Sequence, residues 1–377
     1  MCSSDLQQHV PSDLDVPAVL LVHDPSPDAS RELLTRALEK QEVRYLTGQP
    51  EIPLRWLWRH RRYRDQPVGI LHFYRPGALE LTRRQSQRLL FRLWLARRWG
   101  LRIMVTDPGG WWQNARGSFF RARRALERRL LHVSHAILCS TNQPGLLYRE
   151  RRLRRRVYLM PQPGFRGHYP PALKREEAHE RLNLTPTSNF VYLCLAHQHT
   201  EREIIFLLEA FYLITHGSRC EESQPDVHLL LVGNPVDCPS SPRILRLVAR
   251  DSQVHAHGEE FNERDLPLYM GACNAQVFPH LAVHTAGSLE NASLALSYER
   301  MAITPELPRF SGMLPPRACV PYLPASRESL AEAMIKAQQV GFSLQKEEYA
   351  ALDAEQSWNE YAKNLINIYR ELLGHTS

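Results

Sequence analysis

VHLLLVG (Val227–Gly233) is an apolar run closed by a glycine, the pattern of a buried strand that ends in a tight turn. Downstream, RILRLVAR (Arg243–Arg250) places leucines at helical spacing, and QVHAHG (Gln253–Gly258) reads as a short strand. ERDLPLYMGAC (Glu263–Cys273) is predicted as a helix, AQVFPH (Ala275–His280) as a strand and MAITP (Met301–Pro305) as the next one. Between those two strands lie the loop LAVHTAG (Leu281–Gly287) and the apolar-faced helix SLENASLALSY (Ser288–Tyr298). Strand and helix alternating in units this short predict a parallel sheet with helices on its faces. Such sheets bind ligands beyond the carboxyl ends of their strands. The loop after AQVFPH ends in Thr285, Ala286, Gly287 and Ser288, immediately before a helix. Unpaired N–H groups and the positive helix end favour an anion there, and Gly287 lets a phosphate approach the backbone. The same residues also suit a glycine turn with Ser288 as an ordinary helix cap.

Upstream the alternation continues. PAVLLVHDP (Pro17–Pro25), EVRYLTG (Glu42–Gly48), VGILHFYRP (Val68–Pro76), LRIMVTDP (Leu101–Pro108) and HAILCST (His135–Thr141) read as strands. RRQSQRLLFRLWLARRWG (Arg83–Gly100) and RGSFFRARRALERRLLHVS (Arg116–Ser134) read as basic helices, so the first half forms a doubly wound domain of its own. The proline-bounded charged segment YPPALKREEAHERLNLTPTSN (Tyr169–Asn189) reads as the passage between domains. The expected division is a disordered tail over 1–16, an N-terminal domain over 17–170 and a linker over 171–189. A C-terminal domain over 190–355 and a closing helix within 356–377 complete it.

A chain of 377 residues is long for one core, and 43% hydrophobic with 23% charged residues is ordinary for a globular protein. Its seven cysteines follow no CxxC or regular spacing, which gives neither a disulfide framework nor a zinc motif and fits a reducing cytoplasm. The polar start MCSSDLQQHVPSDLD has no secretory-signal character, and no apolar run reaches the roughly 18 residues of a membrane span. Charge is unevenly divided. Residues 1–175 hold 32 Lys+Arg against 14 Asp+Glu, a net +18, whereas the rest holds 15 against 26, a net −11. The basic half calls for an anionic partner. Tryptophans and arginines alternate over Leu54–Arg64, and RRLRRR (Arg151–Arg156) adds five arginines. Such segments suit an anionic membrane surface, where indoles sit at headgroup level, and equally a solvated arginine-rich surface. No nucleic-acid-binding motif accompanies the charge, so nucleic acid is not expected as a partner.

Taken together, HLLLVGNP, VHAHGEEFNERDLPLYMGACNAQVFPH and TAGSLENASLALSYERMAITPELPRF resemble the C-terminal half of a GT-B glycosyltransferase of the family-4-like (group 1) kind. ILHFY, LRIMVTDP, VYLMPQPGFRGHYP and the final SWNEYAKNLINIYRELL resemble that family's N-terminal strands, its interdomain segment and its closing helix. The resemblance implies an α/β fold of two Rossmann-like doubly wound domains facing a cleft, with the closing helix crossing back to the N-terminal domain. It implies transfer of a hexose from a GDP- or UDP-sugar to a hydroxyl of a glycan or lipid-linked saccharide. The setting would be exopolysaccharide or cell-surface glycan assembly, in the cytoplasm or on the inner face of the cell membrane. A nucleotide-sugar is the substrate, and no cofactor is implied. No bound metal is expected, because no Asp-x-Asp pair stands at a strand end and this fold uses cations and dipoles instead.

The resemblance also distributes roles. Family members carry Arg-x4-Lys after the opening strand of the C-terminal domain, and His197 and Arg202 stand at those positions. Arg202 can do the lysine's work on phosphate oxygens, while His197 departs from the pattern. Gly233, Asn234, Thr285, Ala286, Gly287 and Ser288 would complete the donor site. The family's E-x7-E pair is missing: Leu294 stands where a ribose-contacting glutamate is usual, and Glu299 and Met301 replace a glycine and a proline. Glu290, or less directly Glu306, could take over a donor contact or be a solvated carboxylate. On the acceptor side Asp107, between Thr106 and a Pro-Gly-Gly turn, is the best-placed base, with His72 and the His23–Asp24 pair nearby in the pattern. Asp107 as a turn former is the alternative. These departures leave open a non-catalytic GT-B protein that binds a nucleotide, a glycan or a partner.

Overall fold

The apolar runs AVLLV, VGILHFY and RIMVT become adjacent strands because each carries side chains that must be buried on both faces, which only a sheet covered on both sides allows. The computed structural model describes residues 18–22, 29–41, 43, 45–48, 68–74, 83–106, 129–139, 157–160, 163–184, 190–217, 226–235, 237–238, 241–258, 261–281, 288–307, 310, 314–342, 344 and 346–374. These fall into two units. Unit 1 comprises Met1–Pro163 with Ala354–Ser377, and unit 2 comprises Gly164–Asp353.

Unit 1 is a parallel six-stranded sheet, β1 (Ala18–Val22), β2 (Tyr45–Gly48), β3 (Val68–Tyr74), β4 (Arg102–Thr106), β5 (Ala136–Cys139) and β6 (Val157–Leu159), in the order β2-β1-β3-β4-β5-β6. α1 (Ala29–Lys40) and the C-terminal α10 (Trp358–Leu373) cover one face. α2 (Arg83–Arg98) covers the other, through Leu89, Leu93 and Ala96. The final helix thus returns to the first domain, as the sequence resemblance implies. Its apolar residues Trp358, Tyr361, Ala362, Leu365, Ile366 and Tyr369 recur at helical spacing and form one buried stripe. Ser357 caps it by accepting the Glu360 N–H at 3.2 Å, and Gly374 ends it in the left-handed conformation.

Unit 2 repeats the plan with β7 (Phe190–Leu195), β8 (Val227–Val232), β9 (Val254–His257), β10 (Ala275–Val277), β11 (Met301–Pro305) and β12 (Cys319–Tyr322), in the order β12-β11-β10-β7-β8-β9. α4 (Glu201–His216) and α8 (Arg327–Val340) bury their apolar faces against one side of this sheet. α7 (Ser288–Ser297) packs Ala292, Ala295 and Leu296 with Phe278 and Ala302. The remaining helices are α3 (Arg175–Arg181), α5 (Pro242–Val248), α6 (Leu266–Ala272) and α9 (Lys346–Glu355). α5 starts one residue before the sequence predicts, because Ser241 caps it and Pro242 suits the first helical position. The helix read over Glu263–Cys273 is split: a 3-10 turn covers Glu263–Asp265 and Pro267 then opens α6. Residues 171–189, read as a linker, carry α3. Leu173 donates to the Pro267 carbonyl at 2.9 Å, and His179 Nε2 lies 3.1 Å from the Ala272 carbonyl. Glu299, which stands where the family pattern has glycine, adopts φ +58°, so the backbone conformation that favours glycine is kept without the glycine. The segments 54–64, 116–128 and 151–156 lie outside the described residues.

Candidate functional site in unit 2

In unit 2 the chain runs outward from β7 to β8 and β9, then returns to lay β10 against the other side of β7. The carboxyl ends of β7 and β10 therefore flank a topological switch point, where loops leave in opposite directions and a crevice opens. The loop after β7 carries His197 and leads to Arg202, and the chain after β10 leads to α7. The ends of β7 and β10, far apart in the chain, become neighbours only through this strand order.

β7 ends in a 3-10 turn, Ala196–Gln198, before Thr200 caps α4. Thr200 and Glu203 form a reciprocal capping box: Thr200 Oγ1 accepts the Glu203 N–H at 3.4 Å, and Glu203 Oε2 accepts the Thr200 N–H at 2.9 Å. Glu201 N–H donates to Asp237 Oδ1 at 2.7 Å. Protein oxygens thus already occupy the first turn of α4, and its contribution to an anion is the Arg202 side chain rather than its dipole. Arg202 is exposed on that turn, and among the described residues no carboxylate pairs with it.

His197 is half-buried and its ring stacks on Phe261, with centroids 4.1 Å apart and planes 13° apart. Desolvation by burial lowers its pKa to about 4, against the opposing pull of the Val232 backbone. The ring is neutral near pH 7, so the cationic charge of the pair resides on Arg202 alone. Gly233 ends β8 at φ +81°, and a Cβ there would meet His197 Cβ at 3.1 Å and Nδ1 at 3.2 Å. Its N–H donates to the His257 carbonyl at 2.8 Å, and Asn234 Nδ2 donates to the Gly258 carbonyl at 2.6 Å. The ends of β8 and β9 are thereby tied beneath the imidazole. Gly233→Ala is expected to destabilise the protein by about 1–2 kcal/mol from the left-handed backbone alone. Displacement of His197 adds to this, and thermal denaturation of the variant reads the loss.

Ser288 opens α7, as the sequence predicts, and Glu290 lies on its first turn; the side chains of 288–291 and the loop residues Thr285, Ala286 and Gly287 lie outside the described residues. Leu294 is buried, and Glu306 is exposed just past β11, its N–H donating to the Tyr322 carbonyl at 2.7 Å.

Of the acceptor-side candidates in unit 1, Asp107, His23 and Asp24 lie outside the described residues. His72 is fully buried in β3 on the face covered by α10. Its Nδ1 meets Tyr369 Oη at 2.6 Å and its Nε2 meets Thr106 Oγ1. With both nitrogens engaged, the ring pins the closing helix to the sheet. Burial lowers its pKa to about 3 from an ordinary 6.5. The unfolded chain therefore takes up the proton first, so this contribution is complete above pH 6.5 and is lost as pH falls toward 3. Unfolding free energy of unit 1 is expected to drop by roughly 1 kcal/mol per pH unit below that point, with a flatter slope in His72→Gln, measured by urea titration at several pH values.

No protein-family model and no curated protein matches the sequence. Solved structures do match the fold. HepE of Anabaena in complex with UDP and glucose superposes with a TM-score of 0.57 at 11% identity, covering 94% of this chain and 98% of that one. The catalytic domain of starch synthase IV from Arabidopsis thaliana, bound to ADP and acarbose, gives 0.60 at 10% identity over 95% and 99% of the two chains. UDP-GlcNAc 2-epimerase from Methanocaldococcus jannaschii gives 0.52 at 10% identity over 93% and 99%. Two parallel six-stranded sheets, each flanked by helices, and a last helix that returns to the first unit give this chain the GT-B fold.

Proposed function

We propose that the chain is a metal-independent glycosyltransferase that moves a hexose from a UDP- or GDP-sugar to a hydroxyl of a glycan or lipid-linked saccharide. The reading rests on the switch point between β7 and β10, with an exposed Arg202 on the first turn of α4 after β7 and with α7 following β10. In this role Arg202 and the free N–H groups of α7 stabilise the charge that develops on the departing nucleoside diphosphate. His197, neutral and stacked on Phe261, shapes the donor loop and can offer one ring hydrogen bond. Gly233 and Asn234 hold the β8 end below it, and Thr285, Ala286, Gly287, Ser288 and Glu290 would contact the donor. Asp107 is the proposed base for the acceptor hydroxyl, and His72 holds α10 to the sheet of unit 1. HepE is described with UDP and glucose, which supports a nucleotide-sugar donor for a chain of the same fold.

A second reading, nucleotide or glycan binding without transfer, is favoured by the neutral His197 and by Leu294, buried where the family pattern has a glutamate. A thermal-shift titration with UDP, GDP, ADP and their sugar conjugates tests both, since a ligand that binds only the folded state raises Tm. A rise with one nucleotide and turnover of its sugar conjugate supports transfer. A rise without transfer or donor hydrolysis supports the second reading, and no rise with any nucleotide overturns the donor site.

The acceptor would be met at an anionic membrane surface. On α2, Arg84, Arg88, Phe91, Trp94 and Arg98 share one exposed face, with Phe91 56% and Trp94 47% accessible. Phe91 and Trp94 stack at 6.1 Å, and the Arg98 guanidinium lies 5.0 Å from the Trp94 ring. Aromatic centres flanked by arginines suit the headgroup region, and among the described residues no helix is long and apolar enough to cross a membrane. The wild-type chain should co-sediment with phosphatidylserine-containing vesicles and not with phosphatidylcholine alone. Phe91→Glu with Trp94→Glu should abolish that binding.

A further inference from the structure

At the switch point between β7 and β10, three side chains converge that the sequence reading did not connect. His199 ends the turn after β7, Glu203 is the third residue of α4, and His280 lies three residues past β10. One donor atom from each lies within 4.8 Å of the other two. All are buried, with 2%, 4% and 1% of their surface accessible. His199 Nδ1 is 3.9 Å from Glu203 Oε2, beyond hydrogen-bond reach, and among the described residues it has no hydrogen-bond partner. His280 Nδ1 lies 3.4 Å from Glu203 Oε1, and the two imidazole centroids are 4.7 Å apart.

We propose that His199, Glu203 and His280 bind a divalent transition-metal ion, with zinc as the best fit. Two imidazoles and a carboxylate are borderline-soft donors that suit zinc, whereas magnesium and calcium take all-oxygen shells. Zinc bonds of 2.0–2.2 Å in a tetrahedron set neighbouring donor atoms roughly 3.3–3.6 Å apart. The His280 Nδ1–Oε1 pair at 3.4 Å meets that spacing, while His199 Nδ1 lies 3.9 Å from the carboxylate's other oxygen, Oε2, so binding one ion turns the carboxylate to present a single oxygen to both rings. Outer contacts aim the ligands as metal sites require. Thr200 holds Glu203 Oε2 through its N–H at 2.9 Å and its hydroxyl at 3.1 Å. Phe310 stacks near the His280 ring, and Tyr322 Oη donates to the carbonyls of Phe278 at 2.8 Å and His280 at 3.2 Å. A plain Glu203–His280 pair would leave the buried His199 Nδ1 with no role. The ion would staple the β7–α4 junction to the exit of β10, which are the two sides of the switch point. Three side chains leave the fourth position of the tetrahedron to a water, and the inference does not depend on the glycosyltransferase reading.

The test uses the full chain, dialysed against a chelator and then titrated with zinc chloride or cobalt chloride. One equivalent of zinc should bind, remain through gel filtration and raise Tm; cobalt should give the intense visible bands of a four-coordinate site. His199→Gln and His280→Gln should each weaken zinc binding by more than about 100-fold, a larger loss than outer-shell changes cause. His255→Gln, at the separate His228–His255 contact, should leave affinity unchanged. Far-UV circular dichroism identifies any variant that does not fold, in which case the wild-type cobalt spectrum decides. Absence of stoichiometric zinc binding, a weak six-coordinate cobalt spectrum, or binding that persists in both folded histidine variants overturns the proposal.

Discussion

Arg202→Ala should lower kcat/KM for sugar transfer by about 100- to 1,000-fold, the loss seen when one preorganised donor to a developing charge is removed. The expectation is this large because the family's second cation is absent in effect. Burial leaves His197 neutral, with its pKa at about 4, and the first turn of α4 is occupied by Thr200 and Asp237. Removing Arg202 therefore strips the β7 side of its positive charge. Folding should be unaffected, since Arg202 is exposed and among the described residues makes no ion pair. Arg202→Lys should recover part of the rate, because a point charge replaces the forked donor without its geometry. Steady-state kinetics beside a thermal melt separates the two effects. An alanine variant with wild-type kcat/KM would remove Arg202 from the donor site.

Leu365→Ala should destabilise unit 1 by about 2–5 kcal/mol, the range for emptying a buried leucine site. Leu365 is fully buried at the centre of the α10 stripe, between Trp358 and Tyr361 on one side and Tyr369 on the other. Below it His72 bonds both Tyr369 and Thr106, so the sheet beneath is rigidly tied and cannot collapse into the vacated volume. Urea denaturation should show an early transition for unit 1, with the transition of unit 2 unmoved. Equal shifts in both would show that the helix does not belong to the first unit alone.

The strand–helix alternation was readable because parallel strands and their flanking helices need different hydrophobic periods. VHLLLV, MAITP and VGILHFY are legible as strands for that reason, whereas the closing helix was legible through the family resemblance and its buried stripe came from the structure. Short edge elements were less legible. β12 is only CVPY, paired along β11, and its proline and brevity give no alternation to detect. Ser288 could be nominated from local pattern, because a helix start after a strand is a sequence feature, whereas Arg202 came from the family resemblance alone. His199, Glu203 and His280 could not be joined, because no motif spans the 77 residues from Glu203 to His280.

The sequence by itself determined most of the strands and helices of the two sheets, that both halves would be doubly wound, and where the charge would lie. Those properties follow from local periodicity and composition. Only the tertiary structure decided that β10 returns to pair with β7, which brings the turn after β7 beside the exit of β10 and buries His199, Glu203 and His280 together. It also decided that His72 is held between Thr106 and Tyr369, and that His197 is neutral against Phe261. A side chain's partners and its desolvation depend on residues far away in the chain, and no local pattern encodes them.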